Sequence, residues 1–251
     1  MNRAFFLNNN LMKQQFDKYT EEDSLVWKTL FERQEKNLQD KACEEYLDAL
    51  EDMKDVLNAN KIPNFSELNH WFESKTGWEI YCVPGLIPVD QFFDLLSRKK
   101  FCSSTWLRTI DQLDYLEEPD MFHDTFGHIP LLSNPVFSNF AYEFGKLGKS
   151  LANDQNKVLM LQRLYWFTIE FGLIEQNGLK IYGAGIASSF GESISSLADG
   201  SQKHKFEMEE VLNRVFKTDE IQNTYFVIDS FESLFESILV LTQKWSYELV
   251  S

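Results

Sequence analysis

The stretch Pro119-Asp-Met-Phe-His123-Asp-Thr-Phe-Gly127-His128-Ile-Pro-Leu-Leu132 holds two of the chain's four histidines, five residues apart. Pro-Asp opens it as a helix start, and Gly127 and Pro130 stand near its end. On a regular α-helix five residues turn the direction by about 140°, so the two rings would not share a face. The zinc-protease arrangement, with histidines four apart and a glutamate between them, is absent. A helix that ends or distorts at Gly127 would swing His128 back towards His123. Two imidazoles then need a third ligand, and Glu170 is the strongest candidate. It lies in Leu161-Gln-Arg-Leu-Tyr-Trp-Phe-Thr-Ile-Glu170-Phe-Gly-Leu-Ile174, among Trp166, Phe167, Ile169 and Phe171. A carboxylate is costly to bury there unless it is paired or bound to a cation. Two imidazoles and one carboxylate leave coordination positions open, as in Fe(II) oxygenases and unlike closed structural zinc sites. Spacing alone leaves zinc open beside iron. It also leaves open a site with no metal, in which the histidines are hydrogen-bonded core residues and Glu170 turns to solvent.

Outward from that stretch, the chain reads as an N-terminal arm over 1–20 and a single domain over 21–251, mostly α with a few short β-strands. Apolar periodicity predicts helix from Thr20 to about Asn58, with Pro63 as a stop. A short helix starts at Ser66, Trp78–Pro88 reads as strand and loop, and Asp90 caps a helix through Leu96. A short strand is expected within Phe101–Leu107, then long amphipathic helices over Pro135–Ala152 and Asn156–Ile174. Leu179–Ile186 carries glycines where backbone must pass close to something. Helices over Ser189–Ala198 and Lys205–Val215, a strand at 224–229 and a closing helix over Ser230–Glu248 complete the reading.

With 43% apolar residues, including 22 Phe, 9 Tyr and 6 Trp, the chain can bury a sizeable core, which excludes disorder for most of it. No apolar run reaches eighteen residues, so no span of a membrane is expected. The opening MNRAFFLNNNLMKQQ has neither a long apolar region nor a small-residue cleavage site, so no signal peptide is read. Three widely spaced cysteines argue for a reducing compartment, and a cytoplasmic location is expected. A formal charge of −15 disfavours nucleic acid and anionic membrane as partners. Any anionic group on a small substrate must then meet a local cation.

The text around these residues resembles the catalytic domain of the pterin-dependent aromatic amino acid hydroxylases, most closely the single-domain bacterial phenylalanine 4-hydroxylases. The matching words are Pro119–Leu132, Tyr165-Trp-Phe-Thr-Ile-Glu170-Phe-Gly-Leu, Ile181-Tyr-Gly-Ala-Gly-Ile-Ala-Ser188-Ser189 and Tyr225-Phe-Val-Ile-Asp-Ser-Phe231. They run in one order between about Thr76 and Leu239. The resemblance implies that family's catalytic-domain fold, with Fe(II) held by His123, His128 and Glu170. It implies a tetrahydropterin, tetrahydrobiopterin or a related reduced pterin, as cosubstrate with O2. The expected reaction is hydroxylation of an aromatic amino acid, L-phenylalanine to L-tyrosine in the first place. Arg108 would grip the substrate carboxylate, Asp120 would orient that arginine, and Pro119, Trp166, Gly185 and Ser188 would line the amino acid pocket. Leu86, Ile87, Phe92 and Asp124 would meet the pterin, Phe92 by stacking. Pterin-recycling enzymes are implied as partners, and a monomer is expected.

The sequence departs from the family around Phe101-Cys102-Ser103-Ser104-Thr105, where a proline and apolar residues are usual, and at Ala187 and Ser195-Ser196, where bulkier residues are common. A small residue at 187 suggests a wider pocket. That keeps tryptophan hydroxylation and meta-hydroxylation of phenylalanine open as alternatives. More distant readings are a zinc hydrolase on the same ligands and an inactive binding protein.

Overall fold

A computed structural model describes residues 12–248 except 115, 219 and 220. The arm expected over 1–20 therefore lies outside the described residues as far as residue 11. Residues 14–19 are fastened to the domain. Gln14 Nε2 donates to the Pro63 carbonyl at 2.8 Å, and the Tyr19 hydroxyl donates to the Thr105 carbonyl at 2.8 Å.

Helix α1 (Glu21–Leu38) starts on a capping box between Thr20 and Asp23 and turns Val26, Trp27, Leu30 and Phe31 into the core. The helical pattern does not run on unbroken to Asn58. The chain leaves α1, and Ala42 bridges to Ile181 before α2 (Glu44–Asp52) begins. Asn64, not Ser66, caps α3 (Phe65–Glu73), accepting from the Ser66 amide at 2.9 Å. Strand β1 (Glu79–Cys82) pairs in parallel with β2 (Lys100–Ser103) across α4 (Val89–Leu96). Asp90 sits inside the first turn of α4 with no cap hydrogen bond, so it acts there only through its charge near the helix start.

The segment 121–132 is one helical run whose middle, His123–His128, is π-helical and whose end is α5 (Ile129–Leu132). Helix α6 (Pro135–Ser150) begins at an Asn134 cap and packs on α4. Helix α7 (Gln155–Tyr165) passes into a second π-helical turn, Trp166–Glu170. The helix expected to Ile174 stops there because Gly172–Glu175 is strand β3, paired on one side with β4 (Leu179–Ile181) and on the other with β6 (Thr224–Ile228). An apolar run buried on all sides fits either structure, and pairing decides it. Helices α8 (Ala184–Ser188) and α9 (Phe190–Ser195) follow. Strand β5 (Gln202–Lys205), where no strand was expected, completes the sheet order β4-β3-β6-β5, ahead of α10 (Met208–Asn213). Its polar text QKHK suits a sheet edge and hides the strand from a pattern search. Helix α11 (Phe231–Glu248) packs on α6. Among the described residues no helix is long and apolar enough to cross a membrane.

These elements wrap one aromatic core. Phe122 stacks on Phe126 at 4.8 Å, and Phe126 meets Phe31 and Tyr46 edge-on. The first π-turn is pressed against α8 so closely that a Cβ on Gly127 would lie 2.7 Å from the Ala184 carbonyl oxygen. Gly127→Ala must push these elements apart, at a cost of about 1–3 kcal/mol. The expected result is a melting temperature lowered by roughly 2–4 °C for each kcal/mol, read by thermal denaturation. An unchanged melting temperature would show that the contact relaxes freely.

Candidate active site

The π-turn answers the spacing problem of the two histidines. With hydrogen bonds from i to i+5 the turn is wider, and residues five apart come onto the same face. His123 Nε2 and His128 Nε2 come within 3.2 Å. The second π-turn brings Glu170 to them, with Oε1 3.1 Å from His128 Nε2 and Oε2 3.7 Å from His123 Nε2. Donors about 2.1 Å from one ion and on adjacent octahedral positions would be about 3 Å apart. The three side chains therefore fit a single ion bound on one face.

The protonation states suit the same use. Burial drives the His123 imidazole down to about 4, with His128 and Arg108 adding to the effect against Glu170 and Asp120. Burial pushes Glu170 up, but His128, His123 and hydrogen bonds from His128 and Tyr165 outweigh it and hold the carboxyl at about 2. A neutral imidazole and an ionised carboxylate are the forms that ligate metal. The Ser188 hydroxyl donates to the Ala184 carbonyl at 2.8 Å, so its oxygen accepts from His123 Nδ1–H at 2.9 Å. That bond assigns the tautomer and leaves the Nε2 lone pair facing His128 and Glu170.

A cavity of about 370 Å³ opens onto this face. Its lining includes Leu86, Ile87, Phe92, Pro119, Asp124 and Trp166, together with His123, His128 and Glu170. Phe92 is half-buried and meets Tyr165 edge-on at 5.2 Å. Leu86 is 74% exposed, so it can only form the rim. Asp124 accepts the Ser104 amide at 2.8 Å, and burial pushes its carboxyl up to about 7 against that bond.

Arg108, Asp120, Gly185 and Ser188 do not line the cavity; Asp120, Gly185 and Ser188 lie against His123 or Glu170 from behind, and Arg108 lies against Asp120. Arg108 Nε and Nη2 each donate to Asp120 at 2.9 Å, as a two-pronged pair, and Arg108 Nη1 has no hydrogen-bond partner among the described residues. Asp120 Oδ1 also accepts the His123 amide at 3.1 Å and so caps the helical run that carries both histidines. Burial raises the Asp120 carboxyl, but the guanidinium and the two amides bring it below the usual range. Gly185 lies where a Cβ would be 3.1 Å from Glu170 Oε2, and one at Gly183 would lie 2.4 Å from the Glu170 carbonyl. These are the close approaches expected of that glycine-rich stretch.

Several wall residues were not singled out in the sequence: Tyr165, Phe216, Thr218 and Gln162. Tyr165 had a usable signal, since it stands five residues before Glu170 as His123 does before His128. Ala187 is corrected. It is fully buried, belongs to the core and does not line the cavity, so a small side chain there does not widen it.

Comparison with known proteins agrees with this geometry. The family model described as biopterin-dependent aromatic amino acid hydroxylase matches residues 12–249. The phenylalanine-4-hydroxylase of Chromobacterium violaceum is 46% identical over 232 residues, covering 92% of this chain and 77% of that one. That of Ralstonia nicotianae is 45% identical over 228 residues, covering 90% and 72%. A crystal structure of the C. violaceum enzyme with bound iron(III) and 7,8-dihydrobiopterin matches with a TM-score of 0.88 at 44% identity, over 95% of this chain and 86% of that one. A face of two imidazoles and one carboxylate, an aromatic-walled cavity and matches of this length leave one placement: the chain belongs to the biopterin-dependent aromatic amino acid hydroxylases.

Proposed function

We propose that this chain hydroxylates L-phenylalanine to L-tyrosine, using Fe(II), a tetrahydropterin and O2. The observation that carries the reading is the three-donor face opening onto the aromatic-walled cavity, in a chain whose similar relatives are phenylalanine-4-hydroxylases. His123, His128 and Glu170 hold the iron, and Ser188 keeps His123 in the tautomer that can bind it. Iron and reduced pterin, when bound, supply the activation of O2 for insertion of one oxygen atom into the ring.

The chain's own part is placement. Arg108, held flat by Asp120, takes the amino acid carboxylate through its unpaired Nη1 edge, and a guanidinium fork suits that group. Pro119, Trp166, Gly185 and Ser188 frame the amino acid, Trp166 as a wall of the cavity and Gly185 and Ser188 through the ligands they support. Phe92 stacks on the pterin, Leu86 and Ile87 meet its edge and Asp124 faces it with a polar group. The apolar wall excludes water from the reacting ring. The oxidised pterin is re-reduced by a separate enzyme, so a pterin-recycling partner belongs to the reaction.

Replacing His123, His128 or Glu170 by Ala is expected to abolish tight Fe(II) binding and hydroxylation together, because a three-ligand face has no spare donor. Ser188→Ala should weaken iron binding about 10–100-fold while keeping all ligands. Iron titration with oxygen-dependent turnover tests both. Zinc retained with no oxygen-dependent product would favour a hydrolase.

Arg108→Lys should raise the KM for phenylalanine roughly tenfold to a hundredfold, since an ammonium cannot reproduce charge-assisted bonds of that geometry. A change confined to the pterin KM would move Arg108 to the other half of the site.

Ala187→Leu should overpack the core and cost about 1–3 kcal/mol of stability. The tryptophan-to-phenylalanine ratio of kcat/KM should stay as it was. A selective loss of tryptophan turnover would put residue 187 back in the pocket.

A further inference from the structure

Trp166 opens the π-turn that closes with Glu170, and its ring lines the cavity. Two rings pack against it: Phe216 at 4.6 Å between centroids and 21° between planes, and Phe171 at 4.6 Å and 37°. Stacking leaves an indole free to slide and turn in its own plane. The indole has one polar atom to prevent that, and Nε1 donates to Gln222 Oε1 at 3.2 Å.

Gln222 is buried and does not line the cavity. Every polar group it has is engaged. Its Nε2 donates to the Lys217 carbonyl at 2.7 Å, between the two cavity residues Phe216 and Thr218. Its backbone N–H donates to Glu192 Oε1 at 3.1 Å. Its carbonyl accepts from the Tyr225 hydroxyl at 2.8 Å, which also lies 3.0 Å from Glu192 Oε2. The amide thus joins the π-turn to segment 216–218, and α9 and β6 hold the amide's own backbone. An apolar side chain of similar size would fill this space without desolvating an amide. What it could not supply is direction at both ends.

We propose that Gln222 is a positioning residue: its side-chain amide locks the Trp166 indole and segment 216–218 into one rigid wall, which sets where an aromatic ring stands over the His123–His128–Glu170 face. The inference rests on the functional reading above for its kinetic consequence, and on geometry alone for the state of Trp166.

Gln222→Leu removes both side-chain hydrogen bonds with little change of volume, and Trp166→Phe removes the indole N–H while keeping a ring. Near-ultraviolet circular dichroism of the iron-loaded protein isolates the Trp166 band as the difference between the natural chain and Trp166→Phe. Gln222→Leu should lose most of that band with the far-ultraviolet spectrum and iron content unchanged. Its KM for phenylalanine should rise roughly 3–10-fold, as expected for lost neutral hydrogen bonds. The KM for tetrahydropterin should hold within about twofold, and less tyrosine should form per pterin oxidised, because a misplaced ring is missed. The double variant should fall short of the sum of the two single effects, since both variants remove the Trp166–Gln222 contact. A retained Trp166 band, or a lowered melting temperature with KM for phenylalanine and coupling unchanged, overturns the proposal. A lost band in a chain whose natural form makes no tyrosine would uphold the positioning of Trp166 and sink the functional reading instead.

Discussion

Over His123–His128 the backbone bonds from i to i+5 in place of i to i+4, and that one-residue change of register makes the site possible. An α-helix would send the second imidazole to the far side of the run. The wider turn is rarely adopted because its hydrogen bonds and axial packing are poorer, so neighbouring elements must hold it. Here α8 lies flush against Gly127, and Asp120 fixes the first amides of the run. The same register recurs at Trp166–Glu170, where the Phe171 amide donates to the Trp166 carbonyl at 2.9 Å. It sets Tyr165 beside Glu170 as the first turn sets His123 beside His128. Two unfavourable turns facing each other produce three converging donors.

Charge placement follows from that frame. Arg108 and Asp120 are almost wholly buried, and a buried ion pair by itself contributes little net stability. Their placement is better understood through geometry. One carboxylate, Asp120, holds the guanidinium in a plane and caps the run that carries the metal-facing histidines. The guanidinium of Arg108 and the start of the run that carries the two imidazoles are therefore referenced to the same two oxygen atoms. Breaking the pair would leave an uncompensated charge in an aromatic core and would also release the start of the π-turn, so the two effects cannot be separated by deleting Asp120.

Much of this was legible in the sequence, for identifiable reasons. Histidines five apart beside Gly127, and a carboxylate inside an apolar run, announce a buried polar cluster whatever the fold. The mostly helical class followed from periodicity, and the strands at 79–82 and 224–228 from β-branched and aromatic text. What escaped depends on contacts distant in sequence. Ser188 reads as one serine of a pair, and only the fold brings it 65 residues back to His123. Strand β5 is polar because it is an edge, and β3 ends the helix before it because β4 and β6 claim its backbone. Ala187 misled for the opposite reason. Its place in the motif is beside the site, but the turn of α8 points it into the core, where Gln34 Nε2 holds its carbonyl at 2.7 Å.

That orientation changes where selectivity among aromatic rings must be sought. Helix α8 supports the ligands from behind: Ser188 through His123, and Gly185 by leaving room for Glu170. A substitution there acts on the metal face before it acts on the shape of the pocket. The cavity walls come from elsewhere, from the 83–93 segment, Phe101–Ser104, Trp166 and the 216–218 segment. Of these, 216–218 belongs to no helix or strand, and its register is set by side-chain bonds such as that from Gln222 to the Lys217 carbonyl. A pocket whose rigid parts carry the metal and whose loop-borne part carries the shape can change its preferred ring without disturbing its ligands. Discrimination between phenylalanine and a larger ring should therefore reside in how firmly that loop is held against Trp166, and much less in the volume of any residue on α8.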